Sequence, residues 1–346
     1  MDKIQDLIRH IKSLVPEDKK IRIMNVCGSH EHTIAFSGMR SVIPENLEII
    51  PGPGCPVCVC PESDIINAIN LSNRDDVILV TYGDMLRVPS REGSIRSEGT
   101  NYKMITSPFE AIKIAISNPG KKIVFFSIGF ETTTAPTAAI LEMGIPDNLS
   151  ILSSHRLTPT IMEILVKDAE IGIDGFIAPG HVSAIVGANA WNVFSEKYGI
   201  PTVVAGFEAE SLLLGISEIL RQLKNGDVKT GNVYTGVVRP EGNVQAQNIM
   251  DKFFEVSDVN WRAIGHIPGS GLELREEYSA KDAKKVFELP EIKEAKIPGC
   301  ICGTIILGKA YPAACKLFKE VCTPKSPKGP CMVSIEGACN IWYKTI

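Results

Sequence analysis

The sequence predicts an α/β fold, with two small doubly wound parallel-sheet domains facing a cleft and a cysteine-rich C-terminal region. Three observations predict it. From residue 21 onward, short runs rich in Val and Ile alternate with helical stretches, a pattern typical of parallel strands buried on both faces. Glycine or a reactive side chain follows each run. The ten cysteines form two groups, because none lies between Cys60 and Cys300.

The elements follow in chain order. Residues 1–15 have helical apolar spacing, but they mix acids with bases and lack an apolar segment, so they do not resemble a signal peptide. The predicted strands are IRIMNV (21–26), LEIIPG (47–52), DVILVTYG (76–83), KKIVFFSIG (121–129), LSILSSH (149–155), GFIAPG (175–180) and PTVVAG (201–206). The predicted helices between them are 62–71, 108–116, 134–143, 158–169 and 208–223.

Seven strands within residues 21–206 fit two small domains better than one sheet. We place the first domain at 1–120 and the second at 121–230, with the boundary near Lys121. A third region, 231–346, begins with a predicted helix over 242–255, and strand and turn follow in NWRAIGHIPGSGLEL. The last 50 residues hold six cysteines and little periodic apolar pattern. A metal cluster could supply the stability that this segment lacks.

Composition excludes several classes of partner. The formal net charge is −4 and no Lys/Arg run exceeds two residues, which argues against a nucleic acid or an anionic membrane. No apolar stretch approaches the roughly 18–20 residues that span a bilayer. We therefore predict a cytoplasmic protein. Since that compartment keeps thiols reduced, ten cysteines indicate metal binding or redox chemistry more than a disulfide framework.

The unusual side chains follow the predicted strands directly. In open α/β sheets, chemistry gathers beyond the carboxyl ends of the strands. This placement predicts a polar cleft between the two domains, lined by Cys27, His30, Cys55, Cys58, Asp84, Glu131, His155, His181 and Glu208. The acidic residues among them could equally be helix caps. The predicted catalytic residues are Cys27, His30, Cys55, Cys58, Glu131 and His181.

Cys27 and His30 form the first candidate pair. A thiol that faces a helix N-terminus has its thiolate stabilised, and a neighbouring imidazole can take its proton. Cys55-Pro-Val-Cys58 has the CxxC spacing of redox dithiols and of half a zinc site. Cys27, Cys55 and Cys58 are therefore the predicted metal ligands, and His30 could complete a Cys₃His zinc site. We favour a reversible dithiol over structural zinc. Cys60 fits neither role clearly.

The C-terminal cysteines space as Cys302-x12-Cys315-x6-Cys322-x16-Cys339. Four thiolates without a histidine suit zinc or an iron–sulfur cluster. The prolines and glycines between them predict an irregular wrap, which suits a cluster better than zinc knuckles. Cys300 and Cys331 remain as alternative ligands or a nearby redox pair.

Several motifs occur together and in order: CGSHEHT, GPGCPVC, GFETTTAP, PGHVS and the closing CTP…GPCMVSIEGAC. From about residue 21 to the C-terminus, this combination resembles the HypD family of hydrogenase maturation proteins. The resemblance implies two α/β domains facing a cleft and a [4Fe–4S] cluster in the C-terminal region. It implies a cytoplasmic accessory protein for [NiFe]-hydrogenases, which with the small partner HypC carries the iron on which the Fe(CN)₂CO group is built.

The resemblance also implies roles for individual residues. Cyanide arrives from HypE, where it is carried as a thiocyanate. The cysteine that matches Cys27 is the iron-binding thiol, and the CxxC that matches Cys55 and Cys58 is a redox-active dithiol. Two alternatives stay open: a stand-alone iron–sulfur thiol-disulfide oxidoreductase, and a zinc hydrolase that uses Cys27, His30 and the CxxC pair. A brown anaerobic preparation would exclude the zinc hydrolase. Infrared bands of cyanide and carbon monoxide would then separate the maturation scaffold from the oxidoreductase.

Overall fold

The computed structural model describes residues 2–295 and 297–346. The strands are β1 Ile21–Asn25, β2 Leu47–Pro51, β3 Val77–Tyr82, β4 Tyr102–Ile105, β5 Lys122–Gly129, β6 Leu149–Arg156, β7 Gly175–Pro179, β8 Thr202–Ala205, β9 Thr230–Asn232, β10 Phe254–Trp261 and β11 Gly265–Leu274. The first eight α-helices are α1 Asp2–Leu14, α2 Gly28–Phe36, α3 Met39–Val42, α4 Pro56–Val59, α5 Glu62–Ser72, α6 Ile95–Glu98, α7 Pro108–Ser117 and α8 Glu131–Glu142. The others are α9 Thr158–Lys167, α10 Gly180–Val186, α11 Asn192–Tyr198, α12 Ala209–Asn225, α13 Val244–Phe253, α14 Ala283–Val286, α15 Cys302–Ile306 and α16 Ala338–Thr345.

The strands form two sheets. The first has the order β2-β1-β7-β8-β9, and all its pairs are parallel. The second has the order β10-β11-β6-β5-β3-β4. Strands β3 to β6 pair in parallel there, and the β10–β11 hairpin adds two antiparallel strands at one edge. The predicted α/β class with two parallel-dominated sheets is confirmed, and all seven predicted strands are present.

The expected boundary near Lys121 does not separate the two sheets. The first sheet takes β1 and β2 from the start of the chain and β7 to β9 from a later segment. Between them the chain builds the parallel part of the second sheet, and the hairpin of the third region joins its edge. The order of strands in the sequence does not show which sheet each strand joins. Parallel strands are connected by crossovers, and a crossover can lead to either sheet.

A shared apolar core lies between the sheets. It joins Met24 and Ile50 of the first sheet to Phe126 of the second, and it includes the buried residues Ile305, Phe318 and Val333 of the C-terminal region. The C-terminal region therefore has more apolar packing than its sequence pattern predicts. Two further cores cover the outer faces, one under α1 and α12 and the other under α7, α8 and α13. None of the helices in the described ranges is long and apolar enough to cross a bilayer.

Candidate metal and thiol site

Two loops at the carboxyl ends of neighbouring strands bring Cys27 beside the CxxC segment. Cys27 follows β1 and is the N-cap residue of α2, with extended backbone angles. The N–H of Gly28 donates to the carbonyl of Gly54 at 3.2 Å, and the N–H of Gly52 donates to Asn25 at 2.8 Å. A β-carbon at Gly54 would collide with the backbone of Cys27. The glycines of both motifs thus allow the two loops to pack against each other.

Cys55 and Cys58 are joined as a disulfide, with Cα atoms 5.3 Å apart. Cys55 is the N-cap of α4, Pro56 occupies its first turn, and the Cys58 N–H donates to the Cys55 sulfur at 3.2 Å. This short turn places both sulfurs on one side, as the CxxC spacing predicts. In a compartment that keeps thiols reduced, such a bond is redox-active more often than structural.

One small cavity joins the two loops to the C-terminal region. It has a volume of ≈ 20 Å³ and is lined by Cys27, Gly28, Glu31, Pro51, Gly52, Pro53, Cys55, Cys58, Ile306, Cys331, Glu336 and Ala338. Three of the predicted site cysteines therefore share one space. Glu336 carries no sequence signal for this site, and the spacing of Cys331 gives it no firm role, because both lie in an irregular segment where spacing does not show the direction of a side chain.

Glu31 fixes the C-terminal helix over this cavity. Its carboxylate is buried, forms an ion pair with Arg40 at 2.8 Å and accepts the indole N–H of Trp342 at 2.7 Å. Asn25 donates to the same carboxylate at 3.0 Å. Arg40 also lies over the Trp342 ring. These contacts attach α16 to α2 and keep the cysteines of the two groups close together.

The Cys27 thiol is protonated at neutral pH. Its pKa is raised to about 11, mainly by burial and also by the nearby Glu336 carboxylate, although the backbone N–H groups of His30 and Ser29 oppose this increase. Ser29 donates its hydroxyl to Glu336 at 3.1 Å, which holds this carboxyl group beside the thiol. Burial also raises the pKa of Glu336, and Asp84 contributes to that increase. A metal that binds Cys27 must therefore displace a proton.

The ring of His30, the expected base for Cys27, contacts other residues and does not line the Cys27 cavity. This buried ring contacts the carbonyl of Ala205 through Nε2 at 3.2 Å and packs against Phe207. Burial lowers the pKa of His30 to about 4. The exposed His181 stacks on Phe207, with ring centroids 4.0 Å apart. Phe207 therefore contacts both histidines, and neither ring lines the cavity of Cys27.

Glu131 and His155 lie buried at the second sheet, outside this cavity. Both Glu131 oxygens accept from Thr158, one from its N–H and one from its hydroxyl, each at 2.8 Å. Burial raises the pKa of Glu131 to about 7. His155 lies between the hydroxyls of Ser127 and Thr134, and burial lowers its pKa to about 3. In this structure Glu131 connects α8 to α9, and His155 connects β6 to β5 and α8. Glu208, also expected in the cleft, is the exposed N-cap of α12.

The C-terminal cysteines meet around a second, smaller cavity. It measures ≈ 10 Å³ and is lined by Cys300, Cys302, Cys315, Cys322 and Cys339 with Ile305, Leu317, Phe318 and Met332. The four predicted ligands are thus brought together, and Cys300 lies with them, its sulfur 3.1 Å from that of Cys302. Cys331 lies beside Cys302 and Cys339, whose thiols raise its pKa, and it also lines the first cavity.

The donor chemistry of this second site fits an iron–sulfur cluster. All the donors are soft thiols, and the N–H of Lys328 donates to the Cys322 sulfur at 3.3 Å, a contact that tunes such sites. A β-carbon at Gly329 would lie 2.6 Å from the Cys302 sulfur and 2.8 Å from that of Cys300, so glycine leaves room for the sulfurs. In the part of the chain that the structure describes, no three His, Cys, Asp or Glu residues form a ready-made metal site.

Known proteins match this chain over nearly its whole length. The HypD family model, described as hydrogenase formation hypA family, matches residues 2–345. The chain belongs to the HypD family of hydrogenase maturation factors. A hydrogenase expression/formation protein of Methanocaldococcus jannaschii is 46% identical over 99% of this chain and 96% of its own. The hydrogenase maturation factor HypD of Azotobacter vinelandii is 40% identical over 98% and 93%. HypD2 of Bradyrhizobium diazoefficiens is 40% identical over 96% and 91%. These matches confirm the resemblance that the motifs indicate.

Replacing Glu336 with glutamine will make Cys27 more reactive. Loss of the carboxylate charge lowers the pKa of the thiol, so at a fixed pH below about 11 a larger fraction is thiolate. We expect alkylation to be faster by up to about tenfold, the change that one pKa unit gives. Mass spectrometry of the Cys27 peptide after iodoacetamide treatment measures this. The exposed Glu320→Gln is the matched control, and identical rates in wild type and Glu336→Gln would contradict the electrostatic role.

Proposed function

We propose that this protein, together with HypC, is the cytoplasmic scaffold on which the Fe(CN)₂CO group of a [NiFe]-hydrogenase is assembled. The iron is the cargo, held by Cys27, and HypE supplies cyanide as a thiocyanate. The hydrogenase large subunit receives the finished group. One observation supports this most directly: Cys27 and the Cys55–Cys58 disulfide line one cavity.

Thiolate is a suitable ligand for this cargo. Iron(II) that carries cyanide and carbon monoxide is a soft centre, and softness favours sulfur over carboxylate. The cavity offers two free thiols, Cys27 from the first loop and Cys331 from the C-terminal region, beside a pair that is already bonded. Glu336 lies next to Cys27 and can accept the proton that the thiol loses when iron binds. The amide groups of Ser29 and His30 favour the resulting thiolate.

Cyanide transfer from a thiocyanate consumes two electrons. The S–C bond breaks, the donor sulfur leaves as a thiolate, and cyanide passes to the iron. The reduced Cys55 and Cys58 thiols supply both electrons as their disulfide forms, and they release two protons. One proton neutralises the donor thiolate and the other goes to solvent or to a base such as Glu336. The disulfide in this structure corresponds to the state after transfer.

The C-terminal cysteines would hold a [4Fe–4S] cluster through Cys302, Cys315, Cys322 and Cys339, with Cys300 as the neighbouring thiol. When bound, the cluster would supply single-electron transfer. The position of Cys331 supports a connection between the two sites, since it lines the first cavity and lies beside Cys302 and Cys339 of the second site.

Replacing Cys315 with alanine will loosen the loop that wraps the second site. Residues 307–329 contain no α-helix, and their main buried apolar side chain, Phe318, lies between Cys315 and Cys322 in the chain. Loss of a ligand and of the proposed cluster should therefore loosen this segment. We expect trypsin to cleave at the exposed Lys316, Lys319, Lys325 and Lys328 about ten times faster or more. The segments on either side of this loop, around Ile305 and Val333, pack in the shared core and should stay resistant to trypsin. The Cys60→Ala variant is the control, and a loop as resistant as in wild type would argue against cluster binding.

Complementation tests the proposed function in the cell. Deleting the gene from its source organism should abolish [NiFe]-hydrogenase activity, and the wild-type chain supplied in trans should restore it. The hydrogenase large subunit should accumulate without its Fe(CN)₂CO group in the deletion strain. Full hydrogenase activity in the deletion strain would contradict the proposal.

A further inference from the structure

A basic surface surrounds the loop that carries two of the C-terminal cysteines. Between Cys315 and Lys328 the chain has four lysines (Lys316, Lys319, Lys325 and Lys328) and a single acid, Glu320, although the whole protein has a net charge of −4. All four lysines are exposed. Val321 lies among them with 52% of its surface exposed. We call this surface, together with the groove described next, the basic loop surface.

A shallow groove of ≈ 330 Å³ forms one side of the basic loop surface. It is lined by Arg87, Arg96, Lys325, Ser94 and Ser97 with Pro324 and Pro327. Arg87 is anchored by a 3.1 Å bond from Nη2 to the carbonyl of Val333. The lining has three cations and two hydroxyls and no acidic residue. It suits a carboxylate ligand, because a guanidinium group can bind a carboxylate through two parallel hydrogen bonds.

In the described residues, most positive charges of this surface have no carboxylate side chain as a partner, while Lys319 contacts a main-chain oxygen of Ile346. Across residues 2–295 and 297–346, no carboxylate side chain forms a salt bridge within 4.0 Å of Lys316, Lys325 or Lys328. Elsewhere many lysines are paired, as Lys309 is with Asp168 at 2.7 Å. A concentrated, unpaired patch on an acidic protein raises the rate of encounter with an anionic partner.

The basic loop surface lies directly over one of the sulfurs. The backbone N–H of Lys328 donates to Cys322 at 3.3 Å, while the side chain of Lys328 is exposed. The Cys322 thiol itself is buried. A protein docked on the lysines would therefore approach the second thiol site through a single layer of chain.

We propose that the basic loop surface docks an acidic protein that carries one electron at a time. The inference rests on the proposed function, and it names the class of reductant that this function requires. Opening the Cys55–Cys58 disulfide takes two electrons and two protons. Two carriers give one electron each and are oxidised, and the protons come from solvent. A charged rim around a small apolar centre is suited to the weak, transient contacts of electron-transfer pairs.

The probe is a plant-type [2Fe–2S] ferredoxin, an acidic one-electron carrier. Calorimetric titration of the cluster-loaded protein should give binding that weakens steeply as salt rises. The triple variant Lys316→Glu, Lys325→Glu, Lys328→Glu should weaken binding by about tenfold or more. The triple variant Lys103→Glu, Lys113→Glu, Lys121→Glu reverses three exposed lysines elsewhere and should bind as wild type does. Unchanged visible absorption verifies that both variants keep the cluster.

Reduction separates a failure of docking from a failure of the proposed function. Dithionite should open Cys55–Cys58 in wild type and in the charge-reversed loop variant, whereas reduced ferredoxin should open it quickly only in wild type. If neither reductant opens the disulfide in wild type, the proposed function fails. The docking proposal is overturned if ferredoxin binds the loop variant as tightly as wild type, or if binding does not depend on salt. It is also overturned if RNA or anionic vesicles bind this surface more tightly than ferredoxin does.

Discussion

Replacing Cys27 with alanine will abolish iron–cyanide loading and reduce hydrogenase maturation by more than about 100-fold. Loss of a residue that only hydrogen-bonds to a metal ligand typically lowers metal affinity or activity by about 10–100-fold. Cys27 is itself the proposed ligand. Among the cysteines of the first two loops that line the cavity, it is the sole free thiol. The visible absorption of the proposed C-terminal cluster should remain, because the cysteines proposed to bind it line a separate cavity. Hydrogenase activity in extracts and the absorption spectrum of the purified protein measure both effects.

Cys60→Ala is the matched control for this experiment. Cys60 is also free, but it is buried against Ser154 and does not line the cavity of Cys27. Its removal should cost some stability, on the order of 1 kcal/mol, and leave maturation intact. If Cys27→Ala also loses the visible absorption of the proposed C-terminal cluster, the two sites are not independent. If it matures hydrogenase normally, Cys27 does not hold the iron.

Replacing Cys58 with serine will stop cyanide accumulation while iron stays bound at Cys27. The variant cannot form the Cys55–Cys58 disulfide, so it lacks the pair that we propose as the source of two electrons for the thiocyanate. Anaerobic thiol counting should show two more free thiols in wild type after mild reduction and no change in the variant. The disulfide closes a very short loop, so a mild reductant should open it.

Two results would contradict the dithiol role. Wild-type thiol counts could stay constant through a redox cycle, or zinc could be found at one equivalent on this pair. A Cys58→Ser protein that accumulates cyanide at the wild-type level would show that the electrons come from elsewhere. Cys60→Ser serves as the matched control, since it removes one cysteine near the same loop but leaves the disulfide intact.

Much of the first site is predictable from the sequence because its parts follow neighbouring strands. β1 and β2 are apolar runs that end at the same edge of one parallel sheet, so the loops with Cys27 and Cys55 must meet there. The CxxC spacing alone predicts that the sulfurs lie within bonding distance. The apolar periodicity also gives the seven main strands. Apolar periodicity does not predict the short strands β4 and β9, because YKMI and TGN contain no apolar run.

The positions of the other residues depend on information that the strand pattern lacks. Glu131 follows β5 and His155 lies near the end of β6. Nothing in the strand pattern shows that their side chains hydrogen-bond with Thr158, Ser127 and Thr134. Cys331 and Glu336 lie in an irregular segment whose course is set by tertiary packing. Their contribution to the first cavity becomes visible only when α16 is placed against α2.

Infrared spectroscopy of the protein purified anaerobically with HypC tests the central claim most directly. Cyanide and carbon monoxide bound to iron absorb in a region where proteins are nearly transparent. The account predicts bands of both ligands in the wild-type complex, their loss in Cys27→Ala, and a shift of the cyanide bands after growth with a ¹⁵N nitrogen source. A wild-type complex that contains iron at Cys27 and supports maturation but shows no cyanide band would contradict the account.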